Sequence, residues 1–241
     1  MASKTVLKSL REYMSSQNKL QVVDYFGPRV AKVKLDDNIV KQLQSMITVA
    51  DEAFNDRLLG FVKEEINLYD QITSNKEVHD TLLANMDEYL YDIDSGIWKE
   101  AIHSGSLPTA LEMTSAWYNK QTAGEHQPPH HHAFSADLVC VIFAHINLDN
   151  DESKYYNVSH GEKQKGQLNL TYGEVEKNGF GKSRIYKEPE QGDMYIFPGT
   201  LTHYTTPVVG NSERYSIACN YCITPLVKRL QGKLLRGEHG F

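Results

Sequence analysis

The sequence predicts a mostly β protein, an antiparallel sandwich or jelly roll, with helices packed on one outer face. Two observations carry this expectation. In the first half, apolar residues recur at the three-and-four spacing of a helix face. Beyond Leu107 the period changes to two, in short runs rich in Val, Ile, Tyr, Phe and Thr that turn-forming residues separate. A chain of 241 residues is the length of one large domain or one domain with an appended helical unit. The expected division is a helical portion over 1–106, a β core over 107–225 and a tail over 226–241, together one structural domain.

The elements follow in order. Ile39, Leu43, Met46, Ile47, Ala50, Phe54 and Leu58 put one apolar stripe on a helix spanning 36–60, with Asp36 or Asp37 as its cap and Gly60 as its stop. A capping-box arrangement, Ser74-Asn75-Lys76-Glu77, opens a second helix carrying Val78, Leu82, Met86 and Leu90. Strands are expected over 110–120, 136–147, 166–173, 193–197, 203–208 and 213–224. Residues 149–165 are polar and without period, which reads as a surface insertion.

Composition excludes several classes. Hydrophobic residues at 40% and charged residues at 23% are those of a globular enzyme. A net charge of −6 with no Lys/Arg cluster argues against nucleic acid as a partner. The N-terminus has no uninterrupted apolar stretch of the kind a signal peptide or membrane span needs, so the expectation is a cytoplasmic protein with no membrane partner. Cys140, Cys219 and Cys222 are too few for a disulfide framework. The Cys219/Cys222 pair lies in an apolar strand-like run, where buried structural thiols are expected.

Chemistry concentrates between Gly124 and Ala133, which hold four of the ten histidines. In an extended segment His130 and His132 share one face and His131 points away. His203, in a later β pattern, supplies a third imidazole. Such a face leaves open positions for small ligands on the other side of an iron ion. The usual set has two histidines and a carboxylate, so His132 at the carboxylate position is a departure that leaves the site one negative charge short. Asp137 falls on the opposite face of a regular strand, and Pro128 and Pro129 forbid a helix joining His126 to His130. Arg214 and Ser216 share a strand face and form a cradle for a carboxylate, since the planar guanidinium matches it with two hydrogen bonds. Of Tyr118 and Asn119 only one can point inward, and Asn119 is favoured. Tyr195 is a further candidate donor.

Five motifs stand in one order: Trp117-Tyr118-Asn119, His130-His131-His132, Gly192-Asp193-Met194-Tyr195-Ile196-Phe197-Pro198, His203, and Arg214-Tyr215-Ser216-Ile217. In this the chain resembles the 2-oxoglutarate and iron(II)-dependent oxygenases found in phages and marine bacteria. The resemblance implies a cupin-like double-stranded β-helix. It also implies iron(II) on His130, His132 and His203, and 2-oxoglutarate on Arg214 and Ser216 with Asn119 and Tyr195 nearby. With dioxygen as co-substrate, hydroxylation of a C–H bond is the default outcome, on a peptide (a peptidyl proline among the candidates) or a small molecule. If phage-encoded, the protein would work in the host cytoplasm; a homo-oligomer stays open. Two alternatives remain at this point: a three-histidine cupin-like metalloprotein that does not use 2-oxoglutarate, and a non-catalytic β-sandwich binding or virion module.

Overall fold

The structure, a computed structural model, describes residues 21–23, 27–54, 62–104, 110–148, 166–173 and 183–224. The insertion expected over 149–165 and the tail over 226–241 lie outside them. The strands are β1 (Gln21–Val23), β2 (Val30–Lys34), β3 (Glu64–Asn67), β4 (Leu111–Gln121), β5 (Leu138–Asn147), β6 (Leu168–Thr171), β7 (Arg184–Lys187), β8 (Asp193–Pro198), β9 (Thr202–Thr205) and β10 (Glu213–Ile223). They form two antiparallel sheets. The major sheet runs β1-β2-β8-β5-β10-β4-β3 and the minor one β7-β6-β9. Together they make the jelly roll.

Helices cover one face of the major sheet: α1 (Asp37–Val49), α2 (Tyr69–Ser74), α3 (Lys76–Ile93) and α4 (Ser95–Ser104). Ile39, Val40, Leu43 and Met46 of α1 and Val78, Leu82, Met86 and Leu90 of α3 pack on Ala116, Tyr118, Cys140, Ile142, Ile217 and Cys219 of the sheet. Each fully buried side chain of this kind contributes about 1.5–3 kcal/mol. On the opposite face, Val139, Val141, Phe143, Tyr195 and Phe197 meet Leu168, Leu170, Ile185 and Leu201. Period-two alternation in β5 and β10 thus serves two cores at once, and most residues of these strands are buried. All three cysteines are buried and free, as expected. No helix among the described residues is long and apolar enough to cross a membrane.

Two sequence expectations need correction. The first helix ends at Val49, not near Gly60. Asp51 and Glu52 follow, and acidic groups at a helix C-terminus oppose its dipole. The chain turns instead to β3: Phe54 N–H donates to the Glu65 carbonyl at 2.8 Å, and Asn67 donates to the Glu52 carboxylate at 2.7 Å. The cap of α3 is Asn75, whose side-chain oxygen accepts from Val78 N–H at 3.1 Å. The N-terminal portion is also not wholly helical, because β1, β2 and β3 join the major sheet at its two edges. These strands are too short to show a period.

The turn between β8 and β9 is fastened to the loop before β5. Gly199 N–H donates to the Asp137 carbonyl at 2.8 Å, and His132 N–H donates to the Gly199 carbonyl at 2.7 Å. A Cβ on Gly199 would lie 2.1 Å from the Ala136 carbonyl oxygen. Gly199→Ala should therefore destabilise the protein by about 1–3 kcal/mol or more. Chemical denaturation should show the loss, and metal affinity should fall with it because the strained loop carries His132.

Candidate metal centre

Three histidines from two distant stretches of the chain converge between the sheets. His130 and His203 form an antiparallel backbone bridge, each N–H donating to the other's carbonyl at 3.0 and 2.9 Å. His132, two residues on, shares the face of His130. The nitrogen atoms that could take a metal all lie within 4.8 Å of one another, the only such group of three or more His, Cys, Asp or Glu among the described residues. The ring centroids are 4.3 Å apart for His130 and His203, 5.0 Å for His132 and His203, and 5.2 Å for His130 and His132.

The tautomers follow from the hydrogen bonds. His130 Nδ1 faces the Pro128 carbonyl at 2.7 Å, His203 Nδ1 the Leu201 carbonyl at 3.0 Å, and His132 Nδ1 the Asn220 side-chain oxygen at 2.8 Å. All three partners are acceptors, so each Nδ1 carries the proton and each Nε2 keeps a lone pair for a metal. Burial lowers the pKa of all three: His132 falls to about 4, with His130 adding to the effect, and His203 lies well below 6.5. They are neutral at physiological pH, as ligands must be.

A cavity of about 620 Å³ opens on this face. Trp117 stacks on the His132 ring at 5.8 Å and 11°, and Phe54 stacks on Trp117 at 5.2 Å and 15°. Asn119, Ser216 and Asn220 line the cavity too. Of the expected pair, Asn119 points inward, while Tyr118 lies on the helix-covered face and donates to Glu64 at 2.8 Å. His131 is exposed at the cavity mouth, with its ring 6.1 Å from that of Phe134. Asp137 stays with the strands: its carboxylate accepts from Ile223 N–H at 2.7 Å.

Arg214 lies behind the cavity lining. Its side chain is fully buried, and its Nη1 donates to the Gly166 carbonyl, while Nε and Nη2 find no partner. The guanidinium carbon stands 5.4 Å from the centre of the Phe143 ring. Burial lowers its pKa to about 9, still charged at neutral pH. Among the described residues it has no acidic partner, and a buried cation left so is costly. Tyr195 packs edge-on against the same Phe143 at 6.1 Å in the inter-sheet core, outside the cavity lining.

Sequence reasoning missed Asn220, which orients His132, and Gln127, whose amide donates to both Asn119 (3.3 Å) and the buried Glu65. The first was reachable, since Arg214, Ser216, Ala218 and Asn220 alternate along one strand face. Burial raises the pKa of Glu65 to about 7. No pattern marks Glu65, which sits in a four-residue edge strand.

Residues 115–220 match the 2OG-Fe(II) oxygenase family. Comparison with curated proteins gave no match. Among solved structures, the chain is similar to a Pseudomonas putida prolyl-4-hydroxylase at 15% identity and a TM-score of 0.48, covering 89% of this chain and 97% of that one. It is also similar to a Trichoplax adhaerens prolyl hydroxylase in complex with a hypoxia inducible factor peptide, at 13% identity and a TM-score of 0.46, covering 95% and 97%. A third likeness is to the viral collagen prolyl hydroxylase of Paramecium bursaria chlorella virus 1, at 12% and 0.45, covering 80% and 94%.

Two outcomes follow from the geometry. Asn220→Leu should weaken divalent metal binding about 10–100-fold, measured by competition with a chelator, because His132 then loses the acceptor that holds its Nδ1–H. The second concerns acid. The fold holds His132 near pKa 4 against an ordinary 6.5, so its neutral form carries the stabilisation. Metal-free protein should be most stable above pH 6.5 and lose stability as pH falls toward 4. Denaturation midpoints across that range should show a shallower slope in His132→Gln.

Proposed function

We propose, for a chain whose residues 115–220 match the 2OG-Fe(II) oxygenase family, that His130, His132 and His203 hold the iron(II), that Arg214 and Ser216 hold the far carboxylate of 2-oxoglutarate, and that the reaction is hydroxylation of a C–H bond, with a peptidyl proline as the first substrate to test. The family implies iron(II), 2-oxoglutarate and dioxygen, and the chain is thereby an oxidoreductase. The observation that carries the residue assignment is the guanidinium of Arg214, fully buried and with two N–H-bearing nitrogens unpaired. A planar anion fits it. A three-histidine metalloprotein that ignored 2-oxoglutarate would have no use for such a group.

The residues fit the ions and ligands of the family. Three neutral imidazoles with free Nε2 atoms suit a borderline divalent cation and leave the cavity side for small ligands. Together with dioxygen, iron(II) and 2-oxoglutarate supply the oxidation that places oxygen on a C–H bond while the diacid becomes succinate and carbon dioxide. The chain's own work is positional. Asn220 and the Pro128 and Leu201 carbonyls fix the three rings. Ser216, one rung from Arg214 on the same strand face, offers a hydroxyl to the diacid. Asn119 faces the same space and is proposed to contact the co-substrate. Tyr195 is proposed to shape the buried end through Phe143.

Support for a ring-bearing substrate comes from the wall formed by Phe54 and Trp117. Flat aromatic faces bury apolar area and attract C–H edges, which a pyrrolidine ring presents. The cavity is open enough for a peptide to lay one residue in it.

Anaerobic addition of iron(II) and 2-oxoglutarate should give the visible absorption band of the pair. His203→Ala should lose the band, and Arg214→Met should need about a hundredfold more 2-oxoglutarate to reach it. In air, a proline-containing peptide should raise succinate release and gain one oxygen atom by mass, and its alanine counterpart should do neither. A band indifferent to both substitutions would refute the residue assignment; equal response to both peptides would refute the substrate.

A further inference from the structure

Directly opposite Arg214 on the neighbouring strand stands Gln121. Its side chain is fully buried between the sheets, although sequence gives no reason to hide an amide near a strand end. Its Nε2 donates to the Thr205 hydroxyl at 3.0 Å, and its Oε1 has no partner. Two buried side chains with unsatisfied polar atoms therefore occupy one rung of the β4–β10 ladder. Cross-strand partners on one face place their Cβ atoms about 4.5–5.5 Å apart. The next rung, Asn119 opposite Ser216, lines the cavity. Orphaned buried polar groups are rare in folded proteins, and each one calls for a missing partner.

We propose that Gln121 is a second anchor for the far carboxylate of the 2-oxo diacid, acting from β4 while Arg214 acts from β10. The inference rests on the diacid reading of the Arg214 site given above. It requires only that the amide be turned about its last bond. Thr205 Oγ1 already accepts from Gln127 N–H at 2.9 Å, so its own proton is free to donate. With the amide turned, Oε1 accepts from the Thr205 hydroxyl and the NH2 group points to where Oε1 now lies unpaired. Each of these atoms then has a partner. Gln121 is a positioning residue: it selects a diacid over a monoacid and takes no part in proton or electron transfer.

The test is calorimetric titration of oxygen-free, manganese(II)-loaded protein with 2-oxoglutarate and with 2-oxopentanoate, which has the same carbon count but no far carboxylate. Gln121→Leu should weaken 2-oxoglutarate binding about tenfold and leave 2-oxopentanoate within about twofold, narrowing the preference between them. Gln121→Glu, which keeps the shape and hydrogen-bonding reach, should place a carboxylate against Arg214 and weaken 2-oxoglutarate at least about a hundredfold. Equal loss for both acids in Gln121→Leu would reveal a packing role and overturn the proposal, as would no change in either. Arg214→Met separates the two levels. If it abolishes the preference while Gln121→Leu keeps it, only the Gln121 assignment fails; if it too keeps the preference, the diacid reading of the site fails first.

Discussion

The reciprocal backbone bridge between His130 and His203 is the constraint on which the site depends. Two residues separated by 73 positions exchange both of their N–H···O bonds, so the extended segment of 127–132 is laid alongside β9 as if it were another strand. Period-two alternation then places His132 on the same side as His130 without any further device. The Gly199 contacts fix the other end of this segment. What results is a largely buried set of donors held by main-chain bonds, which is the arrangement that keeps a metal geometry within tolerance.

The second layer of organisation is β10. One face of it packs under the helices through Ile217, Cys219 and Tyr221. The other carries Arg214, Ser216, Ala218 and Asn220, a row running from a buried cation to the acceptor that orients His132. A register shift between Asn220 and Tyr221 against β4 lets the strand bend there. The strand therefore connects the buried guanidinium with the metal-facing histidines, and the diacid proposed to bridge them would lie along it.

Much of this was legible in the sequence. The change of hydrophobic period located the passage from α4 to β4, and alternation alone chose His130 and His132 over His131 and rejected Asp137. The same rule said that only one of Tyr118 and Asn119 faces inward, and the structure turns the favoured Asn119 that way. What stayed hidden has physical causes. Strands β2 and β3 are five and four residues long, too brief for a period, and they take their form from pairing with β8 and β4. The early end of α1 depends on a competing hydrogen bond from Phe54 to Glu65, a tertiary contact that no local pattern announces. Gln121 looks like any polar residue closing a strand until Thr205 and Arg214 are seen around it.

The stacking of Trp117 on His132 has an optical corollary. The chain has two tryptophans. Trp117 lies one ring away from the metal-facing imidazoles, whereas Trp98 belongs to α4 and meets Tyr91 edge-on at 5.2 Å. Indole emission is quenched by an open-shell ion close by and spared by a distant one. The protein thus carries a fluorescent gauge of site occupancy beside an internal reference, and metal loading can be followed in the native chain with no dye attached.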